Sequence, residues 1–119
     1  MDGMDRIDGR DANMPGQLKT VLLVATCDTK ADEVSYLRDE LVRGGGAGLI
    51  MDVGVLGEPG LAADIPNSAV AAAAGASLTE LAALGDENQA MSRMAIGATA
   101  LAQDLRQRGE IDAVIVLGG

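Results

Sequence analysis

Three short apolar runs constrain this chain more than any other feature: residues 19–26 (KTVLLVAT), 49–53 (LIMDV) and 113–117 (AVIVL). They lack the polar alternation of a strand that faces water on one side. Such runs suit parallel strands covered by helices on both faces. Helical patterns separate them, so the plan is β-α-β-α-β, and right-handed crossovers place the first strand between the other two. The expected fold class is α/β, a doubly wound, Rossmann-like parallel sheet of three strands.

The helical signals are local. Thr29 with Asp32 forms a variant capping box, and Val34, Leu37 and Leu41 recur at helical spacing until Gly44, Gly45 and Gly46 stop the pattern. Three further starts follow residues 54–66, a stretch with three Gly and two Pro that reads as a functional loop. They are Asn67 before an alanine run, Ser77 with Glu80 as a capping box, and Asp86 with Gln89 before a long helix. On that helix Met91, Met94, Ala95, Ala98, Leu101, Ala102 and Leu105 share one face, and Gly109 ends it.

Composition narrows the function classes. With no Phe or Trp and Tyr36 as the lone aromatic, the core is aliphatic and single-strand stacking platforms are unsupported. A formal charge of −9 repels a phosphate backbone, which excludes nucleic acid as an expected partner. Cys27 has no second cysteine to pair with, and no apolar run approaches the roughly 20 residues of a membrane helix. Residues 1–17 mix Asp and Arg without the apolar stretch of a secretory signal, and read as a disordered acidic leader. A cytoplasmic location and no membrane partner are the expectations.

Parallel strands all point one way, so the segments after them share the carboxyl edge of the sheet, where ligands bind in open α/β folds. After the first strand, Thr26 and Thr29 offer hydroxyls, Lys30 a cation, and Asp28 one carboxylate for a Mg²⁺ ion. The plainer reading is that Thr29 caps the helix and Lys30 is solvated. After the second strand, Asp52 stands where an acidic residue takes ribose hydroxyls in dinucleotide folds, and Gly54 allows close backbone approach. A strand-end Asp also serves as a loop cap. After the third, Gly118 and Gly119 read either as the opening of a phosphate loop or as an ordinary turn. Cys27 has no His anywhere in the chain to act as its base, and reads as a small buried residue.

The motifs VATCDTKADE (residues 24–33), DVGVLGEPG (52–60), AAAAG (71–75) and IDAVIVLGG (111–119), in this order, resemble the ATP-binding family named for the tomato mosaic virus resistance protein. The resemblance spans residues 19–119. It implies that residues 18–119 are the N-terminal part of a nucleotide-binding α/β domain that forms homodimers and binds ATP. By the same resemblance Thr26, Asp28, Thr29, Lys30, Gly118 and Gly119 are nucleotide contacts. A third strand with no covering helix after it leaves one sheet face bare, so a homo-oligomer or the downstream half of the domain is the expected partner. Two other readings stay open: a protein-interaction fragment, and part of an enzyme whose catalytic groups lie downstream.

Overall fold

The computed structural model describes residues 19–118. The expected leader and Gly119 lie outside the described residues. Within them, β1 (Thr20–Ala25), α1 (Ala31–Arg43), β2 (Ala47–Asp52), α2 (Asn67–Ala73), α3 (Leu78–Ala82), α4 (Glu87–Gln107) and β3 (Ala113–Val116) follow in order. The sheet is parallel throughout, with strand order β2-β1-β3. The doubly wound reading with a central first strand therefore holds.

The alternation of side chains along β1 divides the core in two. Val21, Leu23 and Ala25 join Val34 of α1 and Ile50 on one face. On the other, Leu22 and Val24 join Met51, Val70 and Ala71 of α2, and Met94 of α4. Period-two alternation sends neighbouring residues of a strand to opposite faces, and a central strand buries both. β3 is different. Its Val114, Ile115 and Val116 are 46%, 38% and 68% exposed.

Local chemistry explains the helix ends. Ser77 accepts from the Glu80 backbone while the Glu80 side chain accepts from Ser77 N, the expected capping box. Asp86 accepts from the N–H groups of Asn88 and Gln89 and opens α4. Gly109, at φ 73°, takes the left-handed turn that closes it. Two expected starts differ. The N-cap of α1 is Lys30, with no side-chain cap bond, because Thr29 bonds Thr26 instead. The N-cap of α2 is Pro66, and the Asn67 amide donates across to Gly54 O at 2.7 Å.

Of the expected α4 stripe, Met94 and Leu105 are buried and Ala98, Leu101 and Ala102 pack against the core, while Ala90 and Gly97 join the buried side. Gly97 sits against the Val70 carbonyl so closely that a Cβ there would collide with it. Met91 and Ala95 instead face the uncovered space beside β3, and Met91 is 45% exposed.

Candidate functional site at the carboxyl edge

The turn after β1 is tight: Thr29 N and Lys30 N both donate to Thr26 O, at 3.1 and 2.8 Å. It brings the Thr26 and Thr29 hydroxyl oxygens within 2.7 Å of each other. Asp28 projects from the same turn toward the loop that follows β2. Gly54 and Gly57 receive it, because a Cβ at either position would stand 2.8 Å from a carboxylate oxygen of Asp28. Only glycine admits so close an approach. Asp28 Oδ1 is buried and has no hydrogen-bond partner among the described residues. A buried carboxylate oxygen left without a partner is costly, and a bound cation or donor would satisfy it.

Asp52 does a different job from the one its position suggests. It is 3% exposed, and its Oδ1 accepts from Cys27 N at 3.0 Å and from Gly54 N at 2.8 Å. The carboxylate thus ties the loop after β1 to the loop after β2, as a loop cap does. Cys27 lies beneath this tie with its thiol pKa pushed up to about 11, first by burial and then by the charge of Asp52. The thiol stays protonated at neutral pH and is a poor nucleophile.

A cavity of about 330 Å³ opens at this edge. Thr26, Asp28 and Thr29 line one side, Gly54, Val55 and Leu56 a second, Val116, Leu117 and Gly118 a third. Glu87, Ala90 and Met91 of α4 complete it. Of the residues expected at a site, Thr26, Asp28, Thr29, Gly54 and Gly118 come together here. Lys30 does not line the cavity, and its Nζ lies 3.7 Å from Glu33 Oε2. Asp52 stands behind the wall, and Gly119 is outside the described residues. Glu87 and Met91 are contributions that the motifs do not reveal. The topology does carry a signal for them: a crossover helix runs antiparallel to its strands, so the start of α4 must lie at the carboxyl edge.

The residues of the cavity bear net negative charge from Asp28 and Glu87. A bare phosphate would be repelled there, and among the described residues no group of three or more His, Cys, Asp or Glu is placed to hold a metal ion.

Comparison with known proteins fixes the family. The profile described as "Uncharacterised protein family (UPF0261) N-terminal domain" matches residues 19–119. A UPF0261 protein of Brucella suis biovar 1 (strain 1330) is 42% identical over 99 residues, which cover 83% of this chain and 24% of that protein. One of Brucella melitensis biotype 1 is 41% identical with the same coverage. One of Clostridium tetani is 33% identical over 101 residues, 85% of this chain and 25% of the relative. No solved structure matches significantly. The chain spans about a quarter of the length of these curated relatives. These findings correct the family suggested by the motifs of residues 24–33 and 52–60. Neither the matching profile nor these relatives point to the ATP-binding family named for the tomato mosaic virus resistance protein. This chain belongs to the UPF0261 family as its N-terminal domain.

Proposed function

We propose that this domain supplies one wall of a nucleotide site at the carboxyl edge of its sheet, with ATP held through a Mg²⁺ ion. The observation that carries the reading is the buried, unpartnered Oδ1 of Asp28. Mg²⁺ keeps several waters and binds proteins through one or two carboxylates plus substrate phosphates, so a single aspartate beside two hydroxyls suffices. Asp28 holds the cation, and the Thr26 and Thr29 hydroxyls donate to phosphate oxygens. The backbone at Gly118, with open space beside it, lets the phosphates approach closely. Val55, Leu56 and Met91 offer an apolar surface for the base. Enclosing a whole nucleotide requires further walls, consistent with relatives about four times as long as the matched region.

Calorimetric titration of the complete polypeptide with ATP, with and without Mg²⁺, tests this. Binding is expected to depend on the metal, and Asp28→Asn is expected to weaken Mg·ATP by roughly ten- to 150-fold, the range of a lost charge-assisted bond. The sign is diagnostic. If Asp28 only repels phosphate, the same substitution strengthens binding, and the proposal fails.

A second reading, a protein-interaction module, is favoured by the exposure of the apolar strand β3.

A further inference from the structure

The two edges of the sheet are finished differently. Along β2, the returning loop lies in place of a strand: Ile50 N donates to Asp64 Oδ2 at 2.8 Å, Ile65 N to Ile50 O at 3.0 Å, and Asp52 N to Ile65 O at 3.0 Å. Met51 and Ile65 form a parallel bridge there. That edge is occupied from Ile50 to Asp52. β3 pairs with β1 alone among the described residues, and its other edge is open. An open apolar edge strand is a template for another strand.

Beside β3 runs an apolar groove of about 290 Å³, between Ala95, Ala98 and Ala102 of α4 and Val114 and Val116 of β3. The small side chains of α4 leave space for another backbone to come close, and the valines offer an apolar floor. Handedness then selects what fits. The connection from β2 to β3 crosses the sheet on the face of α4, moving toward the β3 edge. A further right-handed crossover in the same direction must place its helix on that same face and its strand beyond β3. The groove lies on the face this rule requires.

We propose that the β3 edge and the α4/β3 groove together dock the segment of the same polypeptide that follows this domain, seated as a helix in the groove and a parallel strand on the edge. The occupant is named by the relatives: the matched region is an N-terminal domain, and about three-quarters of each relative lies outside it.

The test compares one substitution in two contexts. Ala95 is exposed in this chain and lines the groove, whereas Ile96 is 58% exposed and does not line it. Ala95→Arg is expected to shift Tm of the 119-residue chain by less than about 2 °C, and to lower that of the complete polypeptide by at least about 5 °C. Ile96→Arg should shift neither by more than about 2 °C. A thiol probe covers the case in which Ala95→Arg fails to fold. Ala95→Cys should label rapidly in this chain and at least about tenfold more slowly in the complete polypeptide, read by peptide mass at that site, since Cys27 is buried. Equal Tm shifts, or equal labelling, in the two contexts would overturn the proposal. So would sedimentation showing that this chain self-associates through the groove and that Ala95→Arg abolishes it in both contexts, which would assign the surface to a second copy.

Discussion

β1 and β3 lie side by side, pair in register, and carry almost the same residues, VLLV against AVIV. Yet Val21, Leu22, Leu23 and Val24 are at most 8% exposed, while Val114, Ile115 and Val116 are at least 38% exposed. The difference teaches that an apolar run sets how much a strand can gain from cover, not whether cover is present. α1 packs over one face of β1 and α2 and α4 over the other. Beside β3 the same layers run out.

Matched substitutions can break this comparison. Leu23 and Ile115 are register partners, so their side chains share a face. Leu23→Ala is expected to cost about 2–5 kcal/mol, as removal of a core leucine does, and Ile115→Ala about 1 kcal/mol or less. Urea unfolding of this chain measures both. Similar losses would mean that β3 is covered in solution by something beyond the described residues.

Two aspartates provide a polar version of the same contrast. Asp52 holds Cys27 N from a buried position, and Asp112 holds Thr20 N at 2.8 Å from an exposed one. Asp52→Ala strands two backbone donors and is expected to cost about 1–3 kcal/mol. Asp112→Ala leaves its donor to water and should cost about 0.5 kcal/mol. Unfolding midpoints at fixed pH decide it, and equal costs would remove the distinction between the two sides of β1.

Cys27 sharpens the comparison through pH. The folded thiol holds its proton until about pH 11, whereas in the unfolded chain it ionises near its ordinary value of 9.0. The unfolded state therefore loses this proton first. The contribution is intact below pH 9 and is lost as pH rises toward 11. Unfolding of wild type and Cys27→Ala across this window should diverge with rising pH, wild type falling faster. Parallel curves would show that the end of β1 is wetter than its packing implies.

The strands were legible because buried parallel strands advertise themselves: expected at 19–26, 49–53 and 113–117, they occupy Thr20–Ala25, Ala47–Asp52 and Ala113–Val116. The Ser77 and Asp86 caps were legible because their bonds are local. What escaped depended on contacts distant in sequence. Asn67 reaches Gly54, Asp52 reaches Cys27, and Gly97 receives the Val70 carbonyl. At the site, Thr26, Asp28, Thr29, Gly54 and Gly118 could be grouped from topology alone. The turn of Lys30 toward Glu33 could not, since an i,i+3 partner and a ligand compete for the same ammonium.

Gly97 has a consequence for how an alanine-rich helix keeps its place. A run such as NSAVAAA presents a nearly featureless surface, so sliding it by a turn against a neighbour changes the buried area little. The missing side chain of Gly97 makes a notch in α4, and the Val70 carbonyl occupies it. Any other alignment would press that carbonyl onto a Cβ. Positional information between the two helices is thus written as a gap in one surface, which a single added methyl group would erase.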